Sequence, residues 1–186
     1  MEFFVKRLSQ YFREREIISE NQIDWCEYVL ARYIHTITLL PLMIIIGCFF
    51  APLMDVIILN WGVYYLRNQA NGFHAKTFWG CVTFSICCEI LALLLLVNLH
   101  FEILVILFVL SGLFILWVAP INNKRVHFDE LEMESLRKGI RKRIAIYSAI
   151  SFAVLLIVPK YFGGFALASV VVASLLLISK MGFGIQ

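Results

Sequence analysis

Charge is what this sequence has least of. Of its 186 residues only 16% are Asp, Glu, Lys or Arg, against 61% hydrophobic, and the mean hydropathy is +0.85. A soluble domain averages about 25% charged and about 45–50% apolar residues. The shortage excludes a cytosolic enzyme and a disordered regulator, and it makes lipid part of the solvent. Metal-ligand patterns are missing as well. No Cys-x-x-Cys and no His/Cys set at zinc-ligand spacing occurs, so neither a metal nor another cofactor is expected. Five cysteines in a membrane protein facing the cytoplasm argue against a disulfide framework. No long basic run interleaved with aromatics is present, which excludes nucleic acid as a partner. Met1 to Arg15 mixes charges without a continuous apolar stretch, so it does not read as a cleavable signal peptide.

What the chain does have is apolar segments: Tyr33–Phe50, Leu53–Leu66, Phe78–Val97, Phe101–Ile121, Ile144–Val158 and Phe165–Ser179. These predict an all-α, polytopic bundle of about six transmembrane or half-spanning helices. Leu53–Leu66 carries Asp55 and Asn60, which suits a re-entrant or tilted helix packed inside the bundle. Ala51-Pro52, the stretch Asn98–Glu102, and Pro159 with Gly163 and Gly164 mark the turns. Ahead of the bundle, Phe4, Leu8, Tyr11 and Phe12 recur at helical spacing among charges, predicting an amphipathic helix at the membrane surface. Ser19 with Gln22 resembles a capping box that starts a second helix near Glu20. The whole chain, 1–186, reads as one membrane domain, with an amphipathic N-terminal region at 1–32 and the bundle at 33–186. With six spans and an inner N-terminus, every Lys and Arg except Lys160 falls on the inner side. The positive-inside rule then puts both termini in the cytoplasm.

Polar and reactive residues gather in one place between two apolar segments, the run Arg67 to Cys81. A cysteine is a useful nucleophile when its thiolate is accessible, which a neighbouring imidazole and a helix N-terminus both favour. His74 lies in the polar loop, and Thr77 suits an N-cap that would put Cys81 about one turn into the third span. On one continuous helix, His74 and Cys81 would be about 10 Å apart, beyond hydrogen-bond reach. A catalytic pair therefore requires the chain to turn, and Gly72 permits a reversal just before His74. Asn68, Gln69 and Asn71 are candidates to orient His74 or to donate to an oxyanion, with solvated loop amides an equal alternative.

Arg67, then Gly72-Phe73-His74-Ala75, then Cys81, at the mouth of a small multi-span protein, closely resembles the accessory gene regulator protein B (AgrB) family. Length, N-terminal helix, span pattern and a basic fourth loop agree; Lys76 and the proline-free Asn123-Lys124-Arg125 depart from the family pattern. The resemblance implies a bacterial cell-membrane cysteine endopeptidase that matures an AgrD-like quorum-sensing peptide precursor. It implies that Cys81 attacks a backbone carbonyl to form an acyl-thioester while His74 serves as base and then acid. An internal Cys or Ser of the precursor then closes a thiolactone or lactone ring. Arg67 and Gly72 carry over as supporting residues, the first as loop organiser or carboxylate anchor and the second as hinge. The resemblance also implies self-association, a homodimer being the simplest case.

Glu89, inside the third span, should face the bundle interior, where it neutralises a basic group or contacts substrate. Lys124 and Arg125 open the basic loop Asn122–Arg143, which attracts either anionic lipid or an acidic segment of the substrate. The remaining cysteines, Cys26, Cys48, Cys87 and Cys88, read as packing residues. The rival reading is a small transporter or peptide exporter with Asp55, Glu89 and the polar loop along its path. A transporter tolerates Ser at position 81, whereas a thioester mechanism does not.

Overall fold

The computed structural model describes residues 2–15, 17–70, 72–73, 75, 77–122 and 129–182. Among them the chain is all-α, with seven α-helices: α1 (Glu2–Glu14), α2 (Ile23–Gly47), α3 (Leu53–Ala70), α4 (Phe78–Asn98), α5 (Phe101–Val118), α6 (Glu130–Ile157) and α7 (Phe162–Lys180). The chain divides into two compact units, Met1–Leu42 and Met43–Gln186.

In the first unit the apolar stripe of α1 turns outward. Phe4 and Tyr11 are exposed while Val5 and Ser9 are buried, as suits a helix lying on a membrane surface. The Ser9 hydroxyl sits 2.9 Å from Glu27 Oε1 on α2, tying the two helices together. Ser19 caps the helical turn Glu20–Gln22 ahead of α2, and its backbone N–H donates to Gln22 Oε1 at 3.1 Å. The sequence pattern had marked this box.

The second unit opens with the last turn of α2 and builds the bundle around α7, which packs on α3, α4, α5 and α6. Each of the six apolar segments becomes one helix. Among the described residues four stretches are long and apolar enough to cross a membrane: Val29–Gly47, Phe78–Asn98, Phe101–Val118 and Pro159–Lys180. α3 is set apart by its polar residues, and it buries one face, Val56, Leu59, Asn60, Gly62 and Leu66, within the bundle.

Two sequence expectations need correction. The basic stretch 122–143 is helical from Glu130 onward, because Asp129 and Glu132 form a capping box (Asp129 N–H to Glu132 Oε2, 3.0 Å) and Glu134 pairs with Lys138 at 2.8 Å one turn later. Gly163 and Gly164 do not sit in the turn after α6. They form the first turn of α7, where a Cβ on Gly164 would stand 2.9 Å from Ile58 Cγ2 and one on Gly163 would collide with Leu96. They are glycine for close helix packing, the usual way membrane helices gain contact.

Candidate active site

The C-terminal parts of α3, α5 and α7, the start of α4 and the middle of α6 meet at one end of the bundle. α3 ends at Ala70, whose carbonyl accepts from Ile121 N–H just past α5 at 3.3 Å. Near the same end, α6 approaches so closely that a Cβ on Gly139 would overlap the Gln69 side chain. Arg143 of α6 donates to the Tyr65 carbonyl at 2.7 Å and lies over the Tyr65 ring. α7 brings its Leu175 carbonyl to the loop between α3 and α4, where it accepts from Phe73 N–H at 3.3 Å.

That loop is the Arg67–Cys81 constellation. Gly72 has φ +124°, a conformation L side chains rarely adopt, and it packs on Leu175 and Leu176 with Cβ-equivalent contacts of 3.7–3.8 Å. Glycine is required there by the dihedral, since space is available. The next residue is held from three directions. Its N–H goes to Leu175, its carbonyl accepts from Arg67 Nη2 at 2.8 Å, and its ring lies 4.7 Å from that of Phe84 on α4. On one uninterrupted helix Phe73 and Phe84 would be about 16 Å apart along the axis. The chain therefore folds back over the start of α4, as a pairing of His74 with Cys81 requires. In the sequence Phe73 stands out only as part of the Gly72-Phe73-His74-Ala75 motif, and Phe84 only by its nearness to Cys81.

Thr77 is the N-cap of α4, its side chain accepting from Gly80 N–H at 3.1 Å, and Cys81 N–H donates to the Thr77 carbonyl at 3.1 Å. Cys81 is a free, half-buried thiol at the end of the first turn of the helix. Its own N–H is committed to Thr77, so an oxyanion formed at this sulfur would need other donors. His74, Asn71, Lys124 and Arg125 lie outside the described residues.

Glu89 stands two turns deeper and is only 2% exposed. It faces the bundle interior, yet its described partner is an amide rather than a basic group: Asn60 Nδ2 donates to Glu89 Oε1 at 2.6 Å and to the Val56 carbonyl at 3.0 Å. Glu89 Oε2 is buried without a hydrogen-bond partner. Gly47 makes the room, since a Cβ there would meet Val56 at 2.6 Å and Glu89 Oε1 at 3.0 Å. Of the other cysteines, Cys26 is buried, Cys88 half-buried, and Cys48 and Cys87 exposed. No group of three or more His, Cys, Asp or Glu suited to a metal ion occurs among the described residues.

A model of the family described as accessory gene regulator B matches residues 5–184. No curated protein and no solved structure matches the chain. The match takes in the N-terminal helix, all the apolar helices and the folded-back loop before Cys81. The chain thus belongs to the accessory gene regulator B family, membrane proteins of quorum sensing with a general role in peptide processing.

Proposed function

We propose that this chain is a membrane cysteine endopeptidase whose nucleophile is Cys81 and whose general base is His74. The observation that carries the reading is the reversal at Gly72–Phe73, which brings the residue preceding His74 against α4 one turn beyond Cys81. In the proposed reaction the Cys81 thiol gives its proton to His74. Its sulfur forms a bond to a precursor carbonyl carbon as the peptide C–N bond breaks, and the imidazolium returns the proton to the leaving amine. A thiol or hydroxyl inside an AgrD-like precursor then gives its proton to His74 and attacks the thioester carbonyl carbon; the thiolactone or lactone closes as the C–S bond to Cys81 breaks, and the imidazolium returns the proton to the Cys81 sulfur. Cyclisation outcompetes hydrolysis only where water is scarce and the internal nucleophile is held close, which a site at the membrane boundary favours.

Arg67 is the proposed loop organiser through the Phe73 carbonyl, Gly72 the hinge, and Asn71 a further loop support. Lys124 and Arg125 are proposed substrate contacts on the cytoplasmic side, with both termini on that side and a homodimer as the assembly. For Glu89, burial and the bond to Asn60 favour ordering of the bundle over contact with substrate. The transporter reading gains no specific support, because Glu89 is closed off and bonded within the bundle.

The test is intact mass spectrometry of the protein in lipid with its candidate precursor. A hydroxylamine-labile adduct of precursor minus its tail, absent from Cys81→Ala and strongly reduced in His74→Ala, is expected. Processing retained by Cys81→Ser or Cys81→Ala would overturn the proposal.

A further inference from the structure

Away from the loop, α5 and α7 leave a groove between them of about 270 Å³, lined by Leu107, Leu110, Phe114, Val170, Ala173 and Leu177 with the hydroxyl-bearing Ser111 and Ser174. Ser111 and Ser169 lie 2.6 Å apart beneath it, and Ser169 also donates to the Ala166 carbonyl at 2.7 Å. The Ser111 and Ser169 hydroxyls are thus satisfied within the bundle, and apart from Ser174 what the groove offers an occupant is hydrocarbon. One turn beyond Phe114 and Leu177 its two walls end in Trp117 and Lys180, with the Lys180 ammonium 4.1 Å from the Trp117 ring centroid. Both residues are exposed, and Trp and Lys are the residue types that sit at headgroup level.

We propose that this groove is a binding site for one anionic phospholipid, an acyl chain lying against Ala173 between the helices and the phosphate meeting Lys180. Size and chemistry select this occupant. A helix with side chains is about 10–12 Å across, too wide for the volume available. An extended peptide would leave backbone N–H and C=O groups unpaired against apolar walls, which is not tolerated at membrane depth. A flexible hydrocarbon chain makes no such demand. Lys180, the cation that the described residues place at the open end, supplies the preference for negative charge, and its position over Trp117 leaves ammonium protons for a phosphate oxygen.

The experiment is native mass spectrometry of the intact chain purified from vesicles of equal parts phosphatidylglycerol and phosphatidylcholine, with stepwise delipidation. One phosphatidylglycerol retained per chain after the bulk lipid is stripped is the expected result. Lys180→Gln should lower that retention about fivefold, the worth of one basic group at a membrane surface, bringing it to the level of phosphatidylcholine. Ala173→Leu, which fills the groove without touching the charge, should abolish retention of either lipid. A diazirine-bearing acyl chain should label peptides spanning 107–114 or 170–177. Helical content by circular dichroism serves as the folding control for each variant. Equal retention of the two lipids, retention unchanged in Ala173→Leu, or crosslinks from this groove to a second copy of the chain would overturn the assignment.

Discussion

The polar tie between α3 and α4 offers a quantitative test. Asn60 and Glu89 are 5% and 2% exposed, and the 2.6 Å bond between them joins the helix that carries Arg67 to the helix that carries Cys81. Hydrogen bonds between membrane helices average about 0.6 kcal/mol and reach about 1.7. A short bond in a site closed to water belongs at the upper end of that range. Glu89→Leu alone leaves one Asn60 N–H without its acceptor while the Val56 carbonyl keeps the other, and it also removes the unpartnered Oε2. The single-variant effect is therefore a difference between two opposed terms. The double-mutant cycle isolates the pair. Asn60→Leu, Glu89→Leu and their combination, unfolded reversibly in mixed micelles and followed by tryptophan fluorescence, should give a coupling of about 1–1.7 kcal/mol. Glu89→Gln, which keeps an oxygen for Asn60 to donate to, should retain most of the wild-type stability. Additivity within about 0.3–0.5 kcal/mol, or Glu89→Gln as damaging as Glu89→Leu, would refute the reasoning.

Three further outcomes follow from the loop and the core. Arg67→Gln removes a charge-assisted bond to the Phe73 carbonyl, worth about 1.5–3 kcal/mol; precursor processing should fall about 10- to 150-fold while the thermal midpoint moves little, and Arg67→Lys should restore only part of the activity. Gly72→Ala places a Cβ at φ +124°, a strain of about 1–3 kcal/mol that should lower processing by one to two orders of magnitude with helical content preserved. Gly62→Ala drives a methyl to 2.6 Å from the Tyr147 hydroxyl and 2.7 Å from Ala168 Cβ. It should destabilise the bundle by about 1–3 kcal/mol in micelle unfolding, and Tyr147→Phe in the same chain should recover part of that loss at the expense of the Tyr147 bond to the Phe165 carbonyl.

Local signals were legible in the sequence where one stretch of chain settles the outcome. Ser19 with Gln22 and Thr77 before α4 both mark helix starts, because a cap is decided by a few neighbouring residues. The same rule, read in Asp129-Glu130-Leu131-Glu132, would have identified the helical start of the basic stretch, but the density of charge there suggested a loop. A turn at Gly72 is legible because a dihedral requires glycine there, whereas the turn expected at Gly163 and Gly164 is a helix start whose glycines a neighbouring helix requires. Contacts across the fold were not legible. Asn60 and Glu89 each stood out as polar residues in apolar runs, yet nothing local pairs residues 29 apart. The Phe73–Phe84 contact and the acceptance of Phe73 N–H by Leu175 depend on where α4 and α7 lie, which periodicity does not specify.

The order of the bundle follows a rule that hydropathy does not contain. α4, α5 and α7 are all long and apolar enough to cross a membrane, yet 61% of the α7 span is buried against 22% of α4 and 17% of α5. In water the most apolar helix goes to the centre; in lipid the surroundings are as apolar as leucine, and that driving force vanishes. What remains is how closely backbones can approach. α7 carries Gly163, Gly164, Ala166, Ala168, Ser169, Ala173 and Ser174 between its start and Ser174, whereas α5 is built chiefly from Leu, Ile, Val and Phe. Small side chains let α7 receive α3 on one side and α5 on another, with Ile58 against Gly164 and Ser111 against Ser169. That central helix supplies the Leu175 carbonyl that holds Phe73. Its packing and the geometry of the loop before Cys81 are therefore coupled. A large residue at Ala168, far along α7 from the loop, should slow processing through displacement of α7 as well as lower stability, whereas the same residue at lipid-facing Leu113 should do neither.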